Sequence, residues 1–432
     1  MKMKLPLPKP PAKAQKKMSV AEMNKTLDQA SKNFRVAIFK GDYEEAYKKI
    51  LPAHQLLPQH PSILMDLAYT ELRLSKLELA YEHYTKAIKY SGAQVDTGIY
   101  DGLTEVCHFL GKTEECVQIG RLAIQTKKQM VANEPILKTI ETAPAPFNPN
   151  RPAENIIAFS LFGNLARYCE TSMINVDLVK EIYPEWTCRF YVNETVTDLV
   201  KQRLIDKGAQ VVEVNEQQNQ LSGLFWRFFV MDDPTVKRFL IRDADSLVSY
   251  RERAVVDEWL GSNKWFHTMH DGYTHTELIL AGMWGGCHGV FANIEQLIHD
   301  FIQKGQFPNQ RVIDQHFLRF AIWPTLSQSV MIHDSQGFDH EGKKFHIPSK
   351  SKDYELLADF HVGMNEGSGN IGMNVDFPKG SQVYWSLLDE YGQIVCKYTA
   401  DVTNEQKIVL DIPRSFARVI EKQQWKIEVT ST

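Results

Sequence analysis

The 432-residue chain contains 43% hydrophobic and 24% charged residues, a composition typical of globular proteins with two or three domains. Its formal net charge of −4 gives no support to a nucleic-acid partner and favours small or neutral ones. Six scattered cysteines without a CxxC pair indicate neither a zinc knuckle nor a disulfide framework, and they fit reduced thiols in a cytoplasm.

Residues 1–21 are predicted to form a flexible basic tail. Six lysines and four prolines lie in the first eighteen positions, and no apolar stretch follows that could serve as a signal peptide. No later run approaches the roughly 20 apolar residues of a transmembrane segment. We therefore expect a cytoplasmic protein. A weak contact of the tail with the inner face of the membrane is the alternative.

Residues 22–142 contain a repeat of 34 residues, in which small and aromatic residues recur at matching positions. The matching residues are Gly41, Tyr43, Ala46, Ile50, Ala53 and Pro58, then Leu77, Ala80, Tyr84 and Ala87, and, after a slip of two residues, Gly111, Cys116 and Ala123. The pattern resembles the tetratricopeptide repeat. A generic stack of amphipathic helical hairpins is the alternative. The repeats predict a protein partner or self-association.

A central domain over residues 154–350 follows a proline-rich linker, 143–153, whose four prolines exclude a regular helix. Short apolar strands then alternate with helices. The predicted elements are strands at 156–161, 187–192 and 210–214 and helices at about 171–183 and 199–207. This alternation predicts an α/β domain with a parallel sheet, whose ligands bind at the carboxyl ends of the strands.

Residues 351–432 alternate apolar and polar side chains with a period of two. Val383, Trp385 and Leu387 are one such run, and Ile408, Leu410 and Ile412 are another. The period predicts a small antiparallel, β-sandwich-like accessory domain. Glycan binding and packing against a neighbouring domain both remain open as its role.

The residues that indicate chemistry follow the apolar run 239–241, which predicts a buried strand. Asp243 and Asp245 emerge at the carboxyl end of that strand, and residues two apart in a strand lie on the same side. Two carboxylates aimed at one point are ligands for Mg²⁺ or Mn²⁺, which bridges a diphosphate and neutralises the charge on it as it leaves.

Several further segments, in a fixed order, extend this motif into a family resemblance. They are FWRFFVMDDP (225–234), RFLIRDADS (238–246), EWL (258–260), FHTMHD (266–271), LAGMWG (280–285), DQ (314–315) and HDS (333–335). Together they resemble the GT-A-fold glycosyltransferases of bacterial glycan-synthesis loci, in which a helix with a basic residue precedes the strand that delivers the DxD motif. The resemblance implies transfer of a sugar from a nucleoside-diphosphate sugar to a glycan or protein acceptor.

The resemblance also implies roles for single residues. Asp245 resembles the direct metal ligand, Asp243 the residue that contacts the ribose or the metal, and His333 the third metal ligand. A histidine beside carboxylates favours Mn²⁺ over Mg²⁺, and a surface histidine on a loop is the alternative for His333. The preferred catalytic base is Asp314, with Asp271 as the second candidate, although N-capping equally explains an aspartate at 314.

The expected contacts to the nucleotide-sugar donor come from several elements. The candidates are Ser160, Phe162, Tyr168, Asn193, Arg227, Arg242, Asp243 and Trp284. Arg227 suits a bidentate contact with the diphosphate, and covering an aromatic ring is its alternative. Trp284 is suited to stack on a sugar, while Phe162 and Trp284 are both also consistent with core packing.

Two other functional classes remain open. The first is an interaction scaffold built on the repeats, with an inactive transferase domain. The presence of all three proposed metal ligands argues against this loss of catalysis. The second is a nucleotidyltransferase, which also uses an α/β sheet and a carboxylate-bound metal. A glycine-rich phosphate loop with Lys or Arg does not follow the first strand, which makes this class the weaker one.

Overall fold

The computed structural model describes residues 19–305 and 312–432, so residues 1–18 of the predicted tail lie outside the described part of the chain. The chain divides into two compact units, Met1–Ile119 and Gly120–Thr432. Among the described residues, no helix is long and apolar enough to cross a membrane.

The first unit is a stack of helices with a tetratricopeptide-like repeat. The helices are α1 (Val20–Phe39), α2 (Tyr43–Leu56), α3 (Pro61–Arg73), α4 (Leu77–Tyr90), α5 (Thr97–Phe109) and α6 (Thr113–Met130), the last of which continues into the second unit. Helix α4 begins 34 residues after α2, and α6 begins 36 residues after α4. The predicted slip of two residues is confirmed, because the loop between α4 and α5 is two residues longer than the loop between α2 and α3.

Close helix packing in the first unit depends on its small residues. Ala46 and Ala80, at matching repeat positions, are completely buried. Any Cβ at Gly102 would collide with the ring of Tyr84, so this glycine lets α5 approach the buried tyrosine of α4. Small residues opposite large ones are what pairs of packed helices require.

The second unit is built on a seven-stranded mixed sheet. Its strands are β1 (Asn155–Ser160), β2 (Thr187–Val192), β3 (Gln210–Glu213), β4 (Arg238–Ile241), β5 (Phe266–His270), β6 (Trp284–Cys287) and β7 (Val330–Asp334), in the order β3-β2-β1-β4-β6-β5-β7. The helices are α7 (Ala166–Ile182), α8 (Asp198–Asp206), α9 (Glu216–Asn219), α10 (Tyr250–Leu260), α11 (Ile294–Lys304), α12 (Ile313–Phe317) and α13 (Trp323–Leu326).

The prediction of a wholly parallel sheet is wrong at β6, which runs antiparallel to both of its neighbours, β4 and β5. The connection from β5 to β6, residues 271–283, contains no helix. Because parallel neighbours need a long crossover, usually helical, a chain that turns back without one pairs antiparallel. The predicted α/β class is otherwise confirmed.

The proline-rich segment 143–153 packs against the sheet domain. The indole Nε1 of Trp265 donates to the carbonyl of Thr142 at 2.6 Å, and the ring of Phe147 stacks on Trp186 with 5.7 Å between centroids. Arg238 donates to the carbonyl of Ala145. These contacts fit the position of the proline-rich segment within the second unit, Gly120–Thr432.

The carboxyl-terminal part is a pair of small antiparallel sheets, as the period of two predicts. Strands β10 (Ile394–Asp401), β9 (Gln382–Leu388) and β12 (Lys426–Ser431) form one sheet, β11 (Lys407–Pro413) and β8 (Ser368–Asn374) form the other, and α14 (Arg414–Glu421) follows β11. The Tyr398 hydroxyl donates to Glu170 of α7 at 2.6 Å, and Arg203 of α8 donates to the carbonyl of Val395 at 3.0 Å. This module therefore packs on helices of the sheet domain.

Candidate functional site

The candidate site lies where the path of the chain through the large sheet changes direction. From β1 the chain moves outward to β2 and β3, and it then returns to form β4 on the other side of β1. In open α/β sheets, ligands bind at such a point, outside the carboxyl ends of the strands. Ser160 ends β1 and Asp243 follows β4 by two residues, so both lie at this edge.

Arg227 contacts Ser160, Asp243 and Asp314, three other residues of the predicted site. It lies in the 3-10 helical segment Gly223–Asp232, whose backbone is tied to β1 by a 2.9 Å hydrogen bond from the Arg227 N–H to Ser160 Oγ. Its Nη2 donates to Asp314 Oδ2 at 2.8 Å, and its Nη1 donates to Asp243 Oδ1. One buried guanidinium therefore links the first carboxylate of the DxD motif to the preferred candidate base.

Burial makes Asp314 a better base than an exposed aspartate. Burial raises the pKa of Asp314 above its ordinary value, and the positive charge of Arg227 opposes part of that rise. The Gln315 N–H donates to Asp314 Oδ1 at 3.0 Å. If a ligand anion shares the charge of Arg227, the pKa of Asp314 rises further, because the opposing charge is then partly neutralised.

The Asp245 carboxylate lies near a second negative charge, that of Asp243. Burial, followed by the charge of Asp243, raises its pKa from 3.8 to about 6, while Arg167 and Arg227 lower it. Two carboxylates that share a site repel each other when both are ionised. A divalent cation between them removes that repulsion, so this electrostatic arrangement fits a metal site.

A segment far along the chain reaches Asp245. The amide Nδ2 of Asn365 donates to Asp245 Oδ2, and the Glu366 N–H donates to the Asp245 carbonyl at 2.6 Å. Gly363 and Gly367 flank this contact with φ of +78° and +80°, a conformation that favours glycine. The segment 363–367 is therefore shaped by its own glycines to lie against the DxD motif.

The loop after β1 presents an aromatic ring to solvent. Phe162 is 45% exposed, and its ring meets that of Trp226 edge-on with 5.7 Å between centroids. A Cβ at Gly223 would collide with the Phe162 ring, so the glycine leaves the ring its place. An exposed ring at the carboxyl end of β1 can stack on a flat ligand group, and the donor-site role of Phe162 stays a prediction.

Asn193 and Tyr168 support this edge of the sheet through hydrogen bonds. Asn193 Oδ1 accepts from the Thr195 hydroxyl at 2.5 Å, and Thr195 Oγ1 in turn accepts from the Gly163 N–H at 2.7 Å, which ties the loop after β2 to the loop after β1. The Tyr168 hydroxyl accepts from Arg167 Nη2 at 2.8 Å. Asn193 thus orders the loop that contains Phe162, and Tyr168 positions Arg167.

Trp284 and Arg242 lie in the interior of the domain. Trp284 is completely buried and meets Phe239 edge-on at 5.4 Å, so its ring belongs to the core. Arg242 Nη1 donates to the Trp284 carbonyl at 3.1 Å, and its Nε donates to Glu252 at 3.3 Å. The structure does not bring either side chain to the aspartate pair, and both predicted donor contacts lack support from this geometry.

Gly282 is the residue of that segment that touches the site. A Cβ there would collide with the Asp243 carboxylate. The backbone at Gly282 therefore passes close to Asp243, although the predicted stacking by Trp284 lacks support from this geometry. The glycine leaves Asp243 room for the rotamer that meets Arg227.

Asp271 is occupied by an ion pair. Arg251 binds both of its carboxylate oxygens, at 2.7 and 2.6 Å, and the Val362 N–H donates to Oδ2 at 2.9 Å. His275 Nδ1 accepts from the Asp271 N–H at 2.9 Å. Both carboxylate oxygens of Asp271 therefore face fixed hydrogen-bond donors. Asp271 thereby anchors the backbone of Val362, directly before the segment 363–367 that reaches the DxD motif.

His333 does not lie with the aspartate pair. It is completely buried in β7, and its Nε2 and Nδ1 contact Glu258 Oε2 at 3.0 Å and His267 Nε2 at 2.8 Å. Strands β6 and β5 separate β7 from β4, a distance of roughly 14 Å at about 4.8 Å per strand. The structure therefore does not support the predicted role of His333 as the third metal ligand, because β7, which contains it, lies far from the aspartate pair.

Sequence reasoning missed Asn365 and Arg167. The signal for Asn365 is a polar pair between two glycines, Gly363 and Gly367, which is typical of a loop with left-handed residues. Arg167 stands near the start of the helix after β1, where a basic side chain favours an anionic ligand. Neither signal identifies its target, because both depend on how distant segments meet.

No protein-family model matches the chain, and no curated protein matches it. One similar solved structure is an O-GlcNAc transferase mutant from Thermobaculum terrenum, with 13% identity, a TM-score of 0.27 and coverage of 47% of this chain and 44% of that chain. The chain thus spans less than half the length of that transferase.

Two further similar structures contain tetratricopeptide repeats. The second TPR domain of human RPAP3, in complex with an HSP70 peptide, has 18% identity and a TM-score of 0.23, with 24% of this chain and 85% of that chain covered. A tetratricopeptide repeat protein from Parabacteroides merdae has 19% identity and a TM-score of 0.21, with 25% and 47% covered. Similarities at this level do not define an activity.

Proposed function

We propose that the unit Gly120–Thr432 is a metal-dependent glycosyltransferase of the GT-A class, which moves a sugar from a nucleoside-diphosphate donor to a glycan or protein acceptor. The observation that supports this most is the pair Asp243 and Asp245 at the carboxyl end of β4, beside the point where the chain path reverses. Buried Arg227 faces the same point. Carboxylates for a cation and a guanidinium for phosphate are the two groups that a diphosphate needs.

The side chains at this point fit Mn²⁺ or Mg²⁺. Asp243 is 41% exposed at its side chain, and Asp245 follows it by two residues at the same end of β4. Carboxylate oxygens are ligands that these hard cations prefer. The sequence-based preference for Mn²⁺ rested on His333, so the set of oxygens now favours neither ion. A bound cation would supply neutralising charge to the leaving diphosphate.

The donor is proposed to lie along the carboxyl ends of β1 and β4. Arg227 would exchange part of its contact with Asp243 for an oxygen of the diphosphate, since a guanidinium can bind both. Arg167, held by the Tyr168 hydroxyl, supplies a second positive charge near Asp245. The exposed ring of Phe162 is available to stack on the nucleobase.

Sugar transfer breaks the bond between the anomeric carbon and the diphosphate oxygen, which keeps the electron pair. A new bond forms from an acceptor hydroxyl oxygen to the anomeric carbon, and the hydroxyl proton must leave. Asp314 is the proposed acceptor of that proton, because burial raises its pKa and its neighbour Arg227 faces the diphosphate. Asp271 is not retained for this role, because Arg251 binds both of its carboxylate oxygens, whereas Arg227 contacts Asp314 through Oδ2 alone.

The helical unit is proposed to bind a protein partner or a second copy of the chain. Tetratricopeptide-like stacks expose a concave surface that recognises peptides. Such a contact would bring a protein acceptor, or an assembly that makes glycans, close to the transferase unit.

The test is release of nucleoside diphosphate from a panel of nucleotide sugars with Mn²⁺ or Mg²⁺ present. We expect turnover with at least one donor in the wild type, and a loss of at least a hundredfold in Asp245→Asn. Asp376→Asn, the same change at an exposed carboxylate of the accessory module, is the control and should retain full activity. Equal turnover by Asp245→Asn would refute the site, and no turnover or binding with any donor would favour the scaffold hypothesis.

A further inference from the structure

A second group of metal-binding side chains lies at the outer edge of the large sheet. Glu258 of α10, His333 of β7 and His346 of the following segment each offer one ligand atom, and these atoms lie within 4.8 Å of one another. Glu258 Oε2 is 3.0 Å from His333 Nε2 and 2.5 Å from His346 Nε2. Two imidazoles and one carboxylate thus face a common point.

We propose that Glu258, His333 and His346 form a metal site that binds Zn²⁺ or a similar borderline divalent cation. Two histidines and one glutamate are a ligand set that holds zinc in proteins and leaves a fourth position to water. Imidazole ligands favour such ions over Mg²⁺, which prefers oxygen alone. The site does not depend on the proposed transferase activity, because none of its ligands belongs to the DxD site.

His267 orients the buried ligand of this site. Its Nε2 lies 2.8 Å from Nδ1 of His333, whose ring meets it edge-on with 5.0 Å between centroids. Metal-bound histidines are usually fixed in this way through the nitrogen that does not bind the metal. With a cation on its Nε2, His333 would carry its proton on Nδ1 and would donate it to His267 Nε2.

The carboxylate of Glu258 divides its two oxygens between two partners. Lys343 Nζ binds Oε1 at 2.6 Å, while Oε2 faces the two imidazoles. The lysine therefore leaves one oxygen for a cation, although its positive charge lowers the affinity. We therefore expect a lower Zn²⁺ affinity than at a site whose carboxylate has no lysine beside it.

The spacing of the ligand atoms needs only a small adjustment. Bonds of about 2.0–2.1 Å in a tetrahedral site place ligand atoms about 3.3 Å apart. The observed separations of 3.0 and 2.5 Å from Glu258 Oε2 must therefore widen by less than 1 Å. His346 is free to make this movement, because its side chain is 61% exposed.

The test measures Zn²⁺ binding to the full chain by calorimetry, without an affinity tag and in the Asp245→Asn background, which removes the other cation site. We expect one Zn²⁺ per chain, weakened at least tenfold by His346→Ala and by Glu258→Gln. The change His340→Ala removes an exposed histidine six residues away and should leave the affinity unchanged. Co²⁺ should give the visible spectrum of a four-coordinate site in the wild type and lose it in His346→Ala.

Two results would overturn the site. One is no stoichiometric Zn²⁺ binding to the Asp245→Asn protein. The other is binding that His346→Ala and Glu258→Gln leave unchanged, since the ion would then lie elsewhere. His346 is exposed, so far-ultraviolet circular dichroism of His346→Ala should match the wild type and confirm that lost binding does not reflect lost fold.

Discussion

Replacing Asp245 with asparagine is expected to stabilise the metal-free protein while it removes the proposed activity. The pKa of Asp245 is raised from 3.8 to about 6 by burial and by Asp243. A raised carboxyl pKa means that the ionised form destabilises the folded state. Each pKa unit corresponds to about 1.4 kcal/mol, so ionised Asp245 costs up to about 3 kcal/mol at pH 8. Asparagine is neutral, nearly the same size, and still able to accept from Asn365.

The gain should depend on pH in a defined direction. Because the folded pKa lies above the unfolded one, the destabilisation is complete above pH 6, falls to about half at pH 5 and vanishes below pH 4. Residual solvent contact and the retained Asn365 interaction reduce the gain, and we expect an increase of about 1–3 kcal/mol in the free energy of unfolding at pH 8.

Urea unfolding, followed by tryptophan fluorescence, measures this gain in stability for the structural unit that contains Asp245. All eight tryptophans follow residue 120, so their emission reports on the second unit, Gly120–Thr432, alone. Asp376→Asn, at an exposed position, is the control and should change the free energy of unfolding by less than about 0.5 kcal/mol. A loss of stability in Asp245→Asn at pH 8, or a gain of equal size at pH 5 and pH 8, would refute the electrostatic argument.

Three further predictions concern the same site. Gly282→Ala should lower the transfer rate at least tenfold, because the new methyl group displaces the Asp243 carboxylate, whereas Gly372→Ala, with open space at its Cβ, should leave the rate unchanged. The Mn²⁺ affinity of the wild type, measured by calorimetry, should fall about tenfold from pH 7 to pH 5, because protons compete for Asp245, whose pKa is about 6. Phe162→Ala should raise the donor KM several-fold with little change in kcat, and an unchanged KM would exclude stacking by this exposed ring.

Much of the fold follows from local patterns in the sequence. The helical repeat was predictable because its period of 34 and its slip of two residues appear directly in the spacing of small residues such as Ala46 and Ala80. The strand that delivers Asp243 is a short apolar run with a clear end. The direction of β6 was not predictable, because it depends on a connection without a helix whose return path only the packed sheet determines.

The part of the site that was missed depends on contacts between distant segments. Hydrogen bonds of Arg227 join Asp243, Asp314 and Ser160 in the structure, and the roles predicted for these residues stay predictions. His333 was assigned to the DxD motif through the family resemblance alone. The order of the strands, which sequence spacing does not reveal, places β7 three strands away from β4.

The most direct test of the central claim is the binding of a nucleoside diphosphate with and without Mn²⁺, measured by calorimetry on the wild type and on Asp245→Asn. The wild type should bind at least tenfold more tightly when Mn²⁺ is present, because Asp243 and Asp245 hold the cation against the diphosphate. The variant should show no gain from Mn²⁺. Equal affinity with and without Mn²⁺ in the wild type, or the same gain in both proteins, would contradict the proposed function of the DxD site.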